Sequence, residues 1–127
     1  MSPGALIERY LGAARSGDWD AAYGHYADDI VFRIPGRSRF AGEQRGRDAA
    51  IAYIETARAL SRHDVTLEVV DRLESAERVA LLVRERFDIG GREVEIRRAN
   101  VYRVAGDRIA EIWIFEGNQY EVDALLA

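Results

Sequence analysis

The stretch VEIRRANVYRVAGDRIAEIWIFE, residues 94–116, decides the fold because it predicts two long strands joined by a turn at 105–107. Side chains alternate between the two faces of a strand, so residues two apart share a face. In the first strand, the even-numbered face is apolar at both ends and polar in the middle, at Arg98 and Asn100. An apolar wall that carries two polar groups is typical of a ligand pocket.

The length of the turn determines which face of the second strand joins this wall. A three-residue loop pairs Val104 with Arg108. It brings the even-numbered residues of the second strand to the wall: Ala110, Ile112, Ile114 and Glu116. A two-residue loop instead brings in Glu111, Trp113 and Phe115. Both faces are rather apolar, so the alternation alone leaves the register open. An outward Trp113 and Phe115 predict a contact between subunits, and we therefore expect a homodimer.

The composition predicts a single globular domain. A chain of 127 residues, 48% of them hydrophobic, can form one core spanning residues 1–127. The net charge of −4 argues against a nucleic-acid partner, because such binding depends on neutralising phosphates. No apolar run approaches the roughly 20 residues of a membrane span. The first ten residues lack the pattern of a signal peptide, so we expect a cytoplasmic protein that does not contact membranes.

Missing residue types exclude several kinds of site. Without cysteine there are no disulfides, thiolate nucleophiles or Cys-type zinc sites, and because every basic residue is Arg, no Schiff-base lysine exists. His25 and His63 lack the helical spacing of a metal site, so we expect neither a metal nor a cofactor. The remaining chemistry is proton transfer and hydrogen bonding by Tyr, His, Asp, Glu, Asn and Arg.

The predicted elements run helix, helix, strand, helix and then four strands. Ser2-Pro3 predicts the start of the first helix, and Asp18 caps the second. We expect this second helix to carry Tyr26 on its apolar side and to end at Asp28-Asp29. The other elements are a strand at 30–34, a helix at 47–60, strands at 64–73 and 76–87, and a tail helix at 120–126. Helices grouped before an antiparallel meander predict an α+β fold with helices on the concave face of a curved sheet.

Residues 36–46, GRSRFAGEQRG, predict a solvated loop because they are rich in Gly and Arg. The alternative is a mobile flap over a pocket mouth that attracts an anion through Arg37, Arg39 and Arg45.

Four segments carry a resemblance to a known superfamily. ERYLGAARSGDWDAAYGHYADDIVFRIPG, residues 8–36, is similar to the opening of ketosteroid isomerases and their SnoaL-like relatives, which belong to the nuclear transport factor 2-like superfamily. GRDAAIAYI (46–54), AGDRIAEIWIFE (105–116) and NQYEVDALL (118–126) match the third helix, the last strand pair and the tail. The resemblance implies a cone-shaped curved antiparallel sheet wrapped around three N-terminal helices.

The resemblance also implies roles for individual residues. Tyr10 matches the isomerase tyrosine that donates a hydrogen bond to the substrate oxyanion, and Asn100 matches its partner donor, which is an acid in the isomerases. Tyr26 matches a tyrosine of the supporting hydrogen-bond network. The isomerase general base is an aspartate just before a proline, and Ile34 stands there. Isoleucine cannot move a proton, so steroid isomerisation by the familiar route is not expected.

Glu116 is the predicted replacement for that base, because SnoaL-like cyclases use an acidic residue from the final strands. We expect Arg98 to orient Glu116 or to bind a substrate anion, although a plain ion pair between the two is an equally weighted reading. Glu85 shares the parity of Val83 and can also enter the cavity. The residues expected to contact a hydrophobic substrate are Tyr26, Ile34, Tyr53, Ile54, Val83, Tyr102, Ile112 and Ile114.

These assignments predict a cofactor-independent acid/base enzyme of the isomerase, cyclase or lyase type, acting on a hydrophobic carbonyl compound such as a polyketide or terpenoid intermediate. The first alternative is a non-catalytic small-molecule-binding or protein-interaction domain. The second, an epoxide hydrolase of the same fold, needs an Asp–Arg–Asp arrangement that the sequence does not clearly contain.

Overall fold

The computed structural model describes residues 1–127, with four helices and six strands. The helices are α1 (Pro3–Arg15), α2 (Trp19–Tyr23), α3 (Arg47–Ala59) and α4 (Gln119–Leu125). The strands are β1 (Tyr26–Ile34), β2 (Gly42–Arg45), β3 (Thr66–Glu74), β4 (Arg78–Ile89), β5 (Arg92–Ala105) and β6 (Arg108–Glu116).

The strands form one open, curved sheet in the order β2-β1-β6-β5-β4-β3. Only the pair β1/β6 is parallel, and β3 to β6 form the predicted antiparallel meander. Helices α1, α2 and α3 pack on the concave face, where alternate strand residues are buried together with helical residues such as Leu6, Ile7 and Ala50. The predicted α+β class, with a curved sheet wrapped around three N-terminal helices, is confirmed.

Side-chain caps start the first two helices where the sequence predicts them. The Ser2 hydroxyl accepts a hydrogen bond from the Ala5 amide at 3.1 Å, and Asp18 Oδ1 accepts one from Ala21 at 3.1 Å. Such caps satisfy amides that have no partner inside the helix. They fix the start of α1 and α2, and thereby the position of Tyr10 on the buried face of α1.

The prediction that the second helix continues to Asp28 is wrong. Helix α2 ends at Tyr23, and Tyr26 begins β1, where it is 1% exposed. The reason is backbone pairing with a distant strand, β6. The His25 carbonyl accepts a hydrogen bond from the Ile109 amide at 2.7 Å, and Tyr26 pairs with Ile109. These contacts with β6 favour strand over another helical turn.

The predicted loop at 36–46 also contains a strand, because β2 pairs antiparallel with β1. Two hydrogen bonds donated by backbone amides tie the segment to the C-terminal region: Arg37 N donates to the side-chain Oδ1 of Asp123 at 2.9 Å, and Arg39 N donates to the Leu126 carbonyl at 3.1 Å. The segment is therefore held against α4 and an edge of the sheet.

The turn between β5 and β6 has two residues, yet the face expected for a three-residue loop is the one turned inward. Ala105 pairs with Arg108 around Gly106, whose φ of 62° suits the first position of a tight hairpin turn. A register shift follows, with Val104 opposite Ile109 but Arg103 opposite Glu111. The extra residue, Ala110, reverses the parity of the rest of β6, as a β-bulge does. Ile112, Ile114 and Glu116 consequently face inward, whereas Trp113 and Phe115 face outward.

Candidate functional site

A layer of buried tyrosines lies at the inner end of the concave face. The hydroxyls of Tyr10 and Tyr26 are 2.8 Å apart, and the ring of Tyr10 lies 5.9 Å from that of Tyr102 at an edge-on angle. Burial raises the pKa of Tyr10 and Tyr102 well above the ordinary value and also raises that of Tyr26. The hydroxyls therefore stay protonated near neutrality. The Tyr10–Tyr26 hydrogen bond uses the hydroxyl proton of one of the two tyrosines, and the hydroxyl proton of the other can be donated to a third group.

Asn100 lies next to this layer, because it precedes Tyr102 by two residues on the inward face of β5. The residue is 6% exposed, and its Oδ1 atom is fully buried without a hydrogen-bond partner. An unpartnered buried acceptor is costly, by about 1–3 kcal/mol. A half-turn of the amide would present its NH2 group instead, so Asn100 can offer either an acceptor or a donor to a ligand.

Arg98, two residues before Asn100 on β5, forms a buried cluster with two carboxylates. Its Nε and Nη2 atoms donate to the two oxygens of Glu116 at 2.8 and 2.6 Å. Its Nη1 atom donates to Glu85 Oε2 at 3.1 Å. The side chains are 9% exposed for Arg98, 4% for Glu116 and 12% for Glu85. The predicted Arg98–Glu116 pair is present, directly cross-strand as the register required.

With both carboxylates ionised, the cluster has two negative charges and one positive charge, so it carries one net negative charge. Burial by itself lowers the pKa of Arg98, but the opposite charges of Glu85 and Glu116 outweigh burial and raise it. The guanidinium therefore stays charged. Three of its five N–H donors bind these two carboxylates, so most of its hydrogen-bonding capacity is used inside the cluster.

Tyr53 of α3 connects the cluster to the helical layer. Burial raises its pKa to about 12; Arg98 lowers that value, whereas Glu85 and Glu116 raise it. Its ring packs edge-on against Phe32 and Phe40, with centroids 5.0 and 5.7 Å away. A neutral hydroxyl therefore lies within the electrostatic range of all three charged groups.

The structure places the other predicted contact residues on or beside the same concave face. Val83, Ile112 and Ile114 are buried there, and Ile34 and Ile54 pack partly buried against the core. Two surface concavities lie outside the tyrosine layer. One, of about 410 Å³, includes Leu82, Ala99 and Phe115 of the outer face and touches Arg98 and Glu116. The other, of about 270 Å³, lies between β5 and α4 around Ile96 and Val122. Neither includes Tyr10 or Asn100.

Glu85 is the residue that the sequence reading undervalued. The alternation of β4 placed it inward, but nothing local showed that Arg98, on the neighbouring strand, would bind it and Glu116 together. A carboxylate–Arg–carboxylate arrangement is thus present with two glutamates in place of the two aspartates expected for an epoxide hydrolase. The chain has no group of three or more His, Asp or Glu side chains arranged to hold a metal ion. None of its helices has the length and apolar character needed to cross a bilayer.

Comparison with known proteins gives consistent matches over most of the chain. A sequence profile described as the SnoaL-like domain matches residues 7–112. An uncharacterised protein of Mycobacterium tuberculosis is 28% identical over 108 residues, which cover 84% of this chain and 82% of that protein.

Solved structures of similar fold share little sequence. Bal32a, from a soil-derived mobile gene cassette, has a TM-score of 0.89 at 22% identity, covering 98% of this chain and 95% of its own. A nuclear transport factor 2-like protein of unknown function from Burkholderia pseudomallei has a TM-score of 0.84 at 20% identity, covering 97% and 95%. TerC, co-crystallised with polyporic acid, has a TM-score of 0.81 at 10% identity, covering 96% and 95%.

Proposed function

This chain belongs to the SnoaL-like domain family, and from that premise we propose that it is a cofactor-independent acid/base enzyme. The proposed substrate is a hydrophobic carbonyl compound such as a polyketide or terpenoid intermediate. The proposed reaction starts with removal of a proton next to the carbonyl and continues as an isomerisation, cyclisation or elimination. The observation that carries the proposal is the buried pair of carboxylates on Arg98, on the same concave face as the unpartnered Asn100.

A carboxylate of this pair is the proposed general base; the sequence reading names Glu116. Loss of a proton next to a carbonyl leaves an enolate, whose negative oxygen needs hydrogen-bond donors. Tyr10 and Asn100 are the proposed donors, because the tyrosine pair has a spare proton and the unpartnered Oδ1 atom leaves the Asn100 amide able to turn and present its NH2 group. Ile34 takes no part in proton transfer. In this proposal, Arg98 orients the carboxylates, since three of its N–H donors hold them.

The charge of the cluster also restricts the substrate. Two carboxylates and one guanidinium sum to one negative charge in a region of low accessibility. A substrate carboxylate brought beside them would be repelled by this net negative charge. We therefore propose an uncharged substrate.

Hydrogen–deuterium exchange tests this proposal directly. β-Tetralone, an uncharged bicyclic ketone, is incubated with the protein in D2O, and loss of its α-proton signal is followed by NMR. The wild type should accelerate exchange, and Tyr10→Phe should reduce the acceleration by about 10²-fold, the usual effect of losing one oxyanion donor. Glu95→Gln, which removes an exposed carboxylate on β5, should match the wild type. No acceleration with any of a panel of bicyclic to tetracyclic ketones would refute the proposal.

The Glu85–Arg98–Glu116 cluster favours hydrolysis of an epoxide as a second candidate function. Two carboxylates linked by one arginine can activate a water molecule and protonate a departing oxygen, which is general base and general acid catalysis. Formation of a diol from styrene oxide, measured by chromatography, distinguishes this reaction from ketone exchange.

The packed tyrosine layer favours the third reading, a domain that binds a small molecule or a protein without catalysis. Aromatic rings fill the inner end of the concave face, and both carboxylates of the ion cluster are already paired with Arg98. Binding of β-tetralone in equilibrium dialysis, without exchange or hydrolysis by the same protein, would support this reading over both enzymes.

We also propose a homodimer formed through the outer face of the sheet. Trp113 and Phe115 are 42% and 46% exposed there and stack at 5.2 Å, and Leu82 on β4 is 40% exposed. Contiguous exposed apolar residues of this kind mark interaction surfaces. Trp113→Asp should lower the mass measured by sedimentation equilibrium from that of a dimer to that of a monomer. A wild-type protein that sediments as a monomer at all concentrations would refute the dimer.

A further inference from the structure

We propose that Glu85 is the carboxylate that exchanges the proton with the substrate and that Glu116 is a positioning residue acting through Arg98. This assignment rests on the proposed acid/base function and refines it. It differs from the sequence prediction, in which Glu116 is the base.

Glu85 and Glu116 differ in how they accept hydrogen bonds from Arg98. Both oxygens of Glu116 accept short bonds from one planar guanidinium, at 2.8 and 2.6 Å. Such a bidentate pair is the strong form of this interaction, and it engages both oxygens of Glu116 and reduces the basicity of each. Glu85 uses only Oε2, at a longer 3.1 Å, and its Oε1 accepts no hydrogen bond within the protein. Glu85 therefore has an oxygen available for chemistry.

Accessibility supports the same division. The side chain of Glu85 is 12% exposed, three times the 4% of Glu116. The side-chain oxygens that are fully buried without a partner belong to Asp88 and Asn100, so the free Oε1 atom of Glu85 keeps accessible surface. Glu85 thus combines an oxygen that accepts no hydrogen bond with the more exposed side chain of the two, whereas the concavity of about 410 Å³ reaches Glu116.

Electrostatic coupling places Glu85 within range of the proposed oxyanion donors. After burial and the neighbouring tyrosines, the charge of Glu85 is among the causes that raise the pKa of Tyr10 and of Tyr102. Glu116 is not among those causes, and its influence falls on Tyr53. Of the two carboxylates, Glu85 is thus the one whose charge acts on Tyr10 and Tyr102. This is expected of the base, because the enolate oxygen that its reaction creates would lie beside these tyrosines.

The proposed step conserves atoms and charge. Oε1 of Glu85 takes the proton from the carbon next to the carbonyl, the C–H electron pair forms the enolate double bond, and the carbonyl electron pair moves to oxygen. Tyr10 donates a hydrogen bond to that oxygen. The protonated Glu85 then returns the proton to a carbon of the enolate, and the carboxylate is restored. Arg98, held by Glu116, keeps Glu85 in place throughout.

Phenacyl bromide is the probe for the reactive oxygen. This hydrophobic ketone alkylates carboxylates: a carboxylate oxygen bonds to its CH2 carbon and bromide leaves, and the resulting ester is located by peptide mass spectrometry. The ester should form at Glu85 in the wild type, in Glu116→Gln and in the control Glu95→Gln. Esterification of Glu116 in preference to Glu85, or of neither carboxylate, would overturn the inference.

Exchange with β-tetralone provides the catalytic readout. Glu85→Gln should lose about 10²-fold or more of the acceleration, in the range of general base catalysis, with circular dichroism confirming that the variant folds. Glu116→Gln should lower kcat by about tenfold at unchanged KM, and Glu116→Asp should restore most of that loss, since a carboxylate again holds Arg98.

The outcomes separate the two proposals. Exchange retained in Glu85→Gln but lost in Glu116→Gln would overturn the present inference and leave the acid/base function standing. Selective esterification of Glu85 in a wild type that exchanges no ketone would overturn the proposed function and retain Glu85 as the accessible reactive carboxylate.

Discussion

Removal of the arginine between two buried carboxylates should be among the most damaging single changes in this protein. In Arg98→Met, Glu85 and Glu116 lose three hydrogen bonds of 2.6 to 3.1 Å and face each other without a counter-charge. Breaking a buried ion pair by removing one partner costs about 3–5 kcal/mol. The free energy of unfolding of a domain this size is about 5–15 kcal/mol, so the loss is a large fraction of it.

Urea unfolding, followed by the fluorescence of Trp19 and Trp113, measures this loss. With a slope of about 2 kcal/mol per M, the midpoint should fall by roughly 2 M. The matched control is Arg84→Met, because Arg84 is 35% exposed and lies 3.7 Å from each of its partners, Glu68 and Glu95. An exposed pair contributes about 0–1 kcal/mol, so this control should change little. Equal midpoints for Arg98→Met and Arg84→Met would refute the reasoning.

A triple variant then tests what the cluster is for. Replacing Arg98 by Met and both Glu85 and Glu116 by Leu removes all three charges and leaves apolar side chains of similar size. Buried ion clusters replaced in this way often leave stability unchanged or raise it. We expect the triple variant to be at least as stable as the wild type while losing ketone exchange. A triple variant less stable than Arg98→Met would mean that the cluster is a structural element.

Two further predictions concern packing and ionisation. Gly117→Ala should cost about 1–3 kcal/mol in the free energy of unfolding measured in urea, because its Cβ would lie 2.8 Å from the Arg97 carbonyl oxygen. Gly12→Ala, with no atom within 4 Å of the new Cβ inside α1, should instead stabilise by about 0.5–1 kcal/mol, and a similar cost for both would contradict this contrast. In an alkaline absorbance titration, Tyr53 should ionise near its pKa of about 12, with Tyr10 and Tyr102 ionising later still. The pKa values of these tyrosines in the folded state exceed the unfolded value of 10. Their contribution to stability is therefore complete below pH 10 and falls as pH rises above it. Ionisation of all six tyrosines with a midpoint near pH 10 would refute their burial.

Much of the architecture could be predicted from local sequence. The caps at Ser2 and Asp18, the alternation of β4 and β5, and the grouping of helices before strands all depend on neighbours in the chain, and the structure agrees with each of them. Tyr26 was misplaced because a local pattern of aromatic and small residues is compatible with both a helix and a strand. Its pairing with Ile109, more than eighty positions away, decides between them.

The candidate site required the same long-range information. Local alternation put Arg98 and Asn100 on one face, but the inward face of β6 depended on the turn. The turn has two residues, and without a bulge this length would have turned Trp113 inward. The bulge at Ala110 turns Trp113 outward instead. Neither the turn length nor the bulge can be derived from the apolar pattern of β6, because both of its faces are apolar.

The sequence by itself therefore determined most of the elements, the α+β class, the absence of thiol and lysine chemistry, and the polar residues of β5, but not β2 or the start of β1. Only the tertiary structure decided that Glu85, Arg98 and Glu116, on three different strands, meet as one cluster. The physical reason is that strand register is set by backbone pairing between distant segments, and a shift of one residue turns every side chain of a strand to its other face.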